Sequence, residues 1–151
     1  MVHESRETLS PKASNVSVLH TNLGMTSPDL MRKVFEAHVG ETTKALIIRG
    51  WATGTVNESL LPLVRETTER GVSVFILSDN PADSKGIQKL KYEPHVEAVA
   101  AGAIPLKDVN INQGMEVLEA IQEEIDLGKT GKDLNDAIAD RFGTPIPQPT
   151  K

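Results

Sequence analysis

The stretch ALIIRGWATGT, residues 45–55, joins an apolar run to groups that could bind a small ligand. Arg49 ends the run, and a guanidinium there could hold a carboxylate through two parallel hydrogen bonds. Thr53 and Thr55 flank Gly54 in the turn that follows, where hydroxyls and backbone N–H groups could hold an amide or a carboxylate. The residue types therefore predict a binding site for one of these two groups.

Ser78, Asp79 and Asn80 add polar groups directly after a second apolar run, VSVFILS at residues 72–78. Asp79 offers a different interpretation of Arg49, because the two charges could pair with each other across neighbouring strand ends. The threonines could likewise only shape their turn, as small hydroxyl residues commonly do. The sequence leaves both the binding and the structural interpretation open.

Other kinds of chemistry find little support in the sequence. The chain has no cysteine, which excludes disulfides and thiolate zinc sites. The motif GWATGT lacks the Lys-Ser/Thr ending of a phosphate-binding P-loop, and no nucleotide fingerprint occurs. The histidines have no spacing typical of a metal site: His3, His20, His38 and His95. We therefore expect no metal and no cofactor, and we consider only His20, at a strand end, as a further site residue.

The composition predicts one domain with an aliphatic core. The 151 residues are 38% hydrophobic but only 3% aromatic, so Ala, Val, Ile and Leu must fill the interior, which suits a parallel sheet covered by helices. The net charge is -5 and the basic residues are scattered, so we expect no nucleic-acid partner. No apolar segment approaches the roughly 20 residues of a membrane span, and the polar N-terminus lacks a signal-peptide core. We therefore expect a cytoplasmic protein without membrane contact.

Predicted strands and helices alternate along the chain, which indicates an α/β, three-layer sandwich with a mainly parallel, Rossmann- or flavodoxin-like sheet of about four strands. The predicted strands are residues 16–20, 44–49, 72–78 and 103–106, and the predicted helices are residues 28–39, 58–70, 94–101, 111–127 and 132–142. We expect this domain to span residues 15–142, between a flexible N-terminal tail, 1–14, and a Pro-rich C-terminal tail, 143–151.

The predicted topology brings the polar residues together. Right-handed crossovers between parallel strands place the loops that follow the strands at one edge of the sheet, residues 20–26, 50–57 and 78–86. Ligands of open parallel sheets bind at that carboxyl edge. We therefore predict one site there, and its residues are Arg49, Thr53, Gly54, Thr55, Ser78, Asp79 and Asn80.

Three segments in a fixed order carry a resemblance to a known family: NLGMTSPDLMRKVF, KALIIRGWATGTVNESLLPLVRETTERGVSVFILS and AAGAIPLKDVNINQGMEVL. Over residues 14–142 the chain resembles the C-terminal domain of the bacterial-type L-asparaginase/glutaminase family. The resemblance implies packing against a catalytic domain, its own or a neighbour's, whose active site the turn with Thr53 and Thr55 would reach. In cytoplasmic members, it implies an effector asparagine near the positions matching Arg49, Ser78, Asp79 and Asn80.

The chain also departs from the family's pattern. The family's catalytic machinery lies in an N-terminal domain with a Thr-Gly-Gly-Thr turn, and this sequence contains no such turn. Asp108-Val109-Asn110 stands where the resemblance implies an Asp-Met-Thr-like turn before a helix. We therefore expect no catalytic residue and no activity of the chain alone, in contrast to the L-asparaginase activity of a larger enzyme containing it.

Three functions remain open at this point. The first is a C-terminal domain or separate subunit of an asparaginase-like amidohydrolase, serving oligomer contact and asparagine or effector binding. Its partner would be a homo-oligomer or an asparaginase-type catalytic domain. The second is a stand-alone module that kept the fold and binds a small amino acid or another protein. The third is an independent enzyme using the same sheet edge, for which the sequence shows no nucleotide fingerprint.

Overall fold

The computed structural model describes residues 15–20, 28–50, 61–78, 89–90, 99–144 and 146–147. The strands are β1 (Val16–His20), β2 (Ala45–Gly50), β3 (Ser73–Ser78), β4 (Lys89–Leu90), β5 (Ile104–Asn110) and β6 (Ile146–Pro147). The α-helices are α1 (Pro28–His38), α2 (Leu61–Glu69), α3 (Gly114–Asp126) and α4 (Gly131–Phe142), and a 3₁₀ turn, Ile111–Gln113, precedes α3. Residues 99–100 are also helical.

Four of these strands form one parallel sheet in the order β1-β2-β3-β5. The central strand β2 has four consecutive residues that are almost wholly buried, Ala45, Leu46, Ile47 and Ile48. A strand buried on both faces needs such an unbroken apolar run, which is why the sequence pattern identified it. The predicted parallel sheet of about four strands is therefore confirmed for the described residues.

Helices α1 and α2 cover one face of this sheet. Because the strands lie in chain order and crossovers are right-handed, successive connections return to the same side. Their layer is built from every second strand residue, such as Leu46 and Ile48, packed against Phe35 of α1 and Val64 of α2. Ala101, just after helical residues 99–100, belongs to the same layer.

Helices α3 and α4 cover the opposite face. The alternate strand residues, such as Ile47 and Phe75, pack there against Ile121 of α3 and Ile138 of α4. Ion pairs tie the two helices together, since Arg141 Nη1 lies 3.0 Å from Glu123 Oε1. The fold is thus an α/β three-layer sandwich, as predicted.

Strand β5 is longer than the predicted strand 103–106 and continues to Asn110. Ile76 pairs with Pro105 but Ser78 pairs with Asn110, so β5 contains extra residues opposite β3. This irregularity lets Leu106 and Val109 both enter the core under α3 and α4. Residues 108–110, which stand in place of the family's Asp-Met-Thr-like turn, belong to this irregular strand.

The chain beyond α4 also carries structure within the range predicted to be a tail. The backbone N–H of Lys107 donates to the carbonyl of Gly143 at 3.0 Å, which attaches the end of α4 to β5. Ile146–Pro147 then pairs in parallel with Lys89–Leu90. Gly143 is thus attached to the main sheet, and residues 146–147 belong to a separate two-stranded pair.

Candidate functional site

The strand register puts the ends of the four sheet strands at one edge. His20 pairs with Arg49 and Arg49 pairs with Leu77, while Gly50 pairs with Ser78. Ser78 in turn pairs with Asn110. With about 4.8 Å between neighbouring strands, this row of four strand ends spans roughly 14 Å, a length suited to a small molecule.

Arg49 is the predicted site residue that the structure describes best. It follows the buried residues of β2 and is itself half-buried. Ala45 and Ile47 face α3 and α4, and strand alternation puts Arg49 on that same face. Arg49 thus lies at the sheet's carboxyl edge, where a partly buried cation attracts an anion more strongly than a cation in open solvent does.

Ser78 lies next to Arg49 in the sheet, one position beyond Leu77 on the neighbouring strand. The predicted proximity of the β2 and β3 ends is therefore observed in the backbone. Thr53, Gly54, Thr55, Asp79 and Asn80 lie outside the described residues. The alternative pairing of Arg49 with Asp79 lies outside them for the same reason.

Asn110 is a rim residue that the sequence prediction missed. The prediction ended the fourth strand at residue 106, whereas the irregularity in β5 carries the backbone on until Asn110 lies beside Ser78. The sequence did contain one indication of the irregularity. Leu106 and Val109 are three positions apart, so a regular strand would place these two apolar side chains on opposite faces. His20, the other considered residue, lies at the opposite end of the same row.

Two surface concavities lie away from this edge. One, of about 430 Å³, runs along the outer side of α2, and its lining residues are Leu61, Pro62, Arg65, Glu66, Glu69 and Ala100. The other, of about 320 Å³, lies at the opposite, amino edge of the sheet and includes Lys44 and Arg70. Both are lined largely by exposed side chains, and Thr43, the buried polar residue in the lining of the second, already accepts a hydrogen bond from the backbone N–H of Gly40. The carboxyl edge therefore remains the better candidate.

The charged residues beside the first concavity form a structural ion pair. Both guanidinium nitrogens of Arg32 on α1 donate to the two carboxylate oxygens of Glu66 on α2, at 3.1 and 3.0 Å. The Arg32 hydrogen bond lowers the pKa of Glu66 and raises the pKa of Arg32. This ion pair joins α1 to α2. Because the pKa of Glu66 is lowered, its carboxylate stays ionised at neutral pH and is unsuited to proton transfer.

Metal and membrane chemistry find no support in the described residues. In that part of the chain, no group of three or more His, Cys, Asp or Glu side chains could hold a metal ion. No described helix has the length and apolar character needed to cross a membrane.

The structure is a parallel α/β domain whose four strand ends lie together at one edge of the sheet. Solved structures that match this fold include L-asparaginases. L-asparaginase I from Vibrio cholerae matches with a TM-score of 0.63 and 18% identity, over 82% of this chain and 35% of that chain. The thermostable L-asparaginase from Thermococcus kodakarensis matches with a TM-score of 0.58 and 25% identity, over 86% and 38%.

A probable cytoplasmic L-asparaginase from Campylobacter jejuni matches with a TM-score of 0.54 and 16% identity, over 83% of this chain and 34% of that chain. No family model and no curated protein sequence matches the chain. The resemblance to asparaginases is thus confirmed in the fold. The chain spans only about a third of the length of these structures, the share expected of one domain of a larger enzyme.

Proposed function

We propose that residues 15–142 form the C-terminal domain, or a separate subunit, of an asparaginase-like amidohydrolase. The domain makes oligomer contacts and binds asparagine or a related amino acid at the carboxyl edge of its sheet. Its partner is a second copy or an asparaginase-type catalytic domain, and its location is cytoplasmic. By itself the domain does not hydrolyse asparagine.

The observation that carries this proposal is the position of Arg49 at the carboxyl edge of an asparaginase-like sheet. A half-buried guanidinium suits the α-carboxylate of an amino acid, which it can bind with two hydrogen bonds. One position beyond Arg49, the strand pairing aligns Gly50 with Ser78 and Ser78 with Asn110. The backbone groups of these three residues lie at the same edge of the sheet. Thr53 and Thr55, in the turn after Gly50, are proposed to hold the amide end of the ligand.

The lack of independent activity follows from what amide hydrolysis requires. An activated hydroxyl nucleophile, a general base and an oxyanion hole must be held within hydrogen-bond reach of one another. The sequence has no Thr-Gly-Gly-Thr turn, and several described hydroxyls, including those of Thr68 and Ser73, donate hydrogen bonds to backbone carbonyls. Thr67, for example, donates its hydroxyl hydrogen bond to the carbonyl of Leu63 within α2.

Two measurements on the purified chain test the proposal. Isothermal titration calorimetry with asparagine, aspartate and glutamine is expected to show binding of at least one amino acid. Ammonia release from asparagine is expected to be absent. Robust ammonia release would overturn the non-catalytic role, and absence of heat with all three amino acids would overturn the binding role.

The second candidate is a stand-alone amino-acid-binding or protein-interaction module that kept the fold. Co-expression with an asparaginase-type catalytic domain separates the two candidates. The first predicts a stable complex with restored asparagine hydrolysis, whereas the second predicts amino-acid binding without any complex. The exposed guanidinium of Arg65 on α2 provides a control variant in both experiments, because it lies away from the sheet edge.

A further inference from the structure

A surface at the outer edge of β1 exposes apolar side chains that the proposed function does not use. Val18 on β1 is 39% exposed and Met115 on α3 is 69% exposed, while Leu118 on α3 is half-buried. We name these three residues the edge stripe. Val16 packs under α3, so by strand alternation Val18 also lies on the α3 side of the sheet.

Helix α3 lies beside β1, which brings the residues of the edge stripe to the same side of the sheet. Gln122 Nε2 donates to Asn15 Oδ1 at 3.3 Å, which fixes one side of α3 beside the start of β1. Met115, Leu118 and Gln122 have helical spacing and share that side of α3. Because α3 follows β5 from the carboxyl edge and runs back towards the amino edge, Met115 and Leu118 lie farther along β1, at the level of Val18.

The backbone of β1 is open at the same place. The carbonyl of Asn15 accepts hydrogen bonds from Lys44 and Ala45 on the β2 side, at 2.7 and 3.2 Å. Since backbone groups alternate in direction along a strand, Val16 and Val18 direct theirs to the outer side. No strand among the described residues pairs with that side, and β1 has no lysine or proline of the kind that shields edge strands.

The charged residues of α3, the helix beside β1, are all acidic. Helix α3 contains no lysine or arginine, and Glu119 and Asp126 lie on its exposed side next to Met115 and Gln122. No cation among the described residues pairs with Glu119. A second copy docking here would place the same acids opposite each other, which is destabilising, so the complementary partner is cationic.

We propose that β1 and the edge stripe bind an extended basic segment of another protein by strand addition. The segment pairs with the outer side of β1 through main-chain hydrogen bonds. Its alternate apolar side chains cover Val18, Leu118 and Met115, and its lysine or arginine side chains approach Glu119 and Asp126. This surface is separate from the carboxyl edge and does not depend on amino-acid binding there.

A synthetic peptide of alternating valine and lysine, about eight residues long, is the probe for this proposal. NMR titration of the full chain is expected to shift the amide signals of Val16 and Val18 and to slow their hydrogen exchange. A valine–glutamate peptide is the charge control, and a valine–lysine peptide N-methylated at alternate residues is the strand-pairing control. Each control is expected to bind at least about tenfold more weakly, since it loses either charge attraction or backbone pairing.

Variants of the chain locate the interaction. The double variant Glu119→Gln with Asp126→Asn, and separately Val18→Lys, are expected to weaken binding of the valine–lysine peptide about fivefold or more. The matched double variant Glu69→Gln with Asp140→Asn removes two exposed acids on α2 and α4, away from the edge stripe, and is expected to leave the affinity unchanged. Equal binding of the N-methylated peptide, equal losses in both double variants, or a dimer paired through β1 would each overturn the proposal.

Discussion

Gly102 lies directly against Thr68 of α2. A Cβ atom at Gly102 would lie 2.6 Å from Thr68 Oγ1 and 2.9 Å from Thr68 Cβ. The same hydroxyl donates a hydrogen bond to the carbonyl of Ala101 at 2.9 Å. Thr68 therefore holds the turn between helical residues 99–100 and β5 close to α2, and the missing side chain at position 102 makes that approach possible.

Gly102→Ala is expected to destabilise the fold by about 2–4 kcal/mol, because left-handed strain and overpacking against Thr68 add together. Gly128→Ala is the matched control, since Gly128 has a similar φ of 95° against 106° but no atom within 4 Å of the added Cβ. Its expected cost is only about 1 kcal/mol from the backbone conformation. Urea unfolding of both variants measures the difference, and equal costs would contradict the steric role of Thr68.

The ion pair of Arg32 with Glu66 is expected to stabilise the fold at neutral pH but not in acid. Its partner lowers the pKa of Glu66 below the ordinary value of 4.5, so the folded state favours the ionised carboxylate. The resulting stability is present above that ordinary value and is lost as the pH falls through the lowered one. Both side chains are about half-exposed, so the effect is small and salt-sensitive.

Arg32→Met is therefore expected to lower the urea midpoint slightly at pH 7 and to leave it unchanged at pH 2. Lys33→Met is the control, because Lys33 is an exposed neighbour on α1, whereas the cation that pairs with Glu66 is Arg32. A double-mutant cycle with Glu66→Gln isolates the pairwise contribution. A midpoint change that is the same at both pH values would argue against the ion pair as its cause.

Leu134→Ala is expected to destabilise the fold by about 2–5 kcal/mol, because a buried leucine is replaced by a cavity. Leu134 is fully buried on the inner side of α4, whereas Leu127 beyond the end of α3 is 70% exposed. Leu127→Ala removes the same atoms and is expected to change stability by less than about 0.5 kcal/mol. Thermal and urea unfolding compare the two variants, and similar losses would contradict the described packing of α4.

Arg49→Ala is expected to weaken amino-acid binding by about tenfold or more, because it removes a bidentate carboxylate partner. Arg49→Lys is expected to recover only part of the affinity, since an ammonium is a point charge without the planar fork. Arg65→Ala on the outer side of α2 is the control and is expected to bind normally. Calorimetry with the amino acid that binds the parent chain measures all three, and normal binding by Arg49→Ala would remove Arg49 from the site.

Much of the fold could be predicted because local and tertiary requirements agree. The unbroken apolar run at residues 45–48 predicts a strand that is buried on both faces. Such a strand lies inside a sheet that has helices on both sides, which is the position of β2. The alternation of strands and helices then limited the topology, since right-handed crossovers leave few arrangements. That topology alone predicted that Arg49 and Ser78 lie close together, at the neighbouring ends of β2 and β3.

The remainder depended on contacts between distant segments. The extension of β5 to Asn110 requires Leu106 and Val109 to find space under α3 and α4, and it requires Gly143 to accept a hydrogen bond from Lys107. Neither condition is visible in the local pattern of residues 103–110. The edge stripe could not be predicted from local sequence either, because it combines one strand residue with two residues of a helix about a hundred positions later.

The order β1-β2-β3-β5 also has a consequence for biosynthesis. Each new strand adds to the outside of the sheet already formed, so no later segment has to open an existing pair of strands. Local pairing of this kind has a low entropic barrier and suits assembly as the chain leaves the ribosome. Ile47 and Phe75, however, stay uncovered until α3 and α4 have been synthesised, so the last third of the chain acts as the closing layer of a nascent domain.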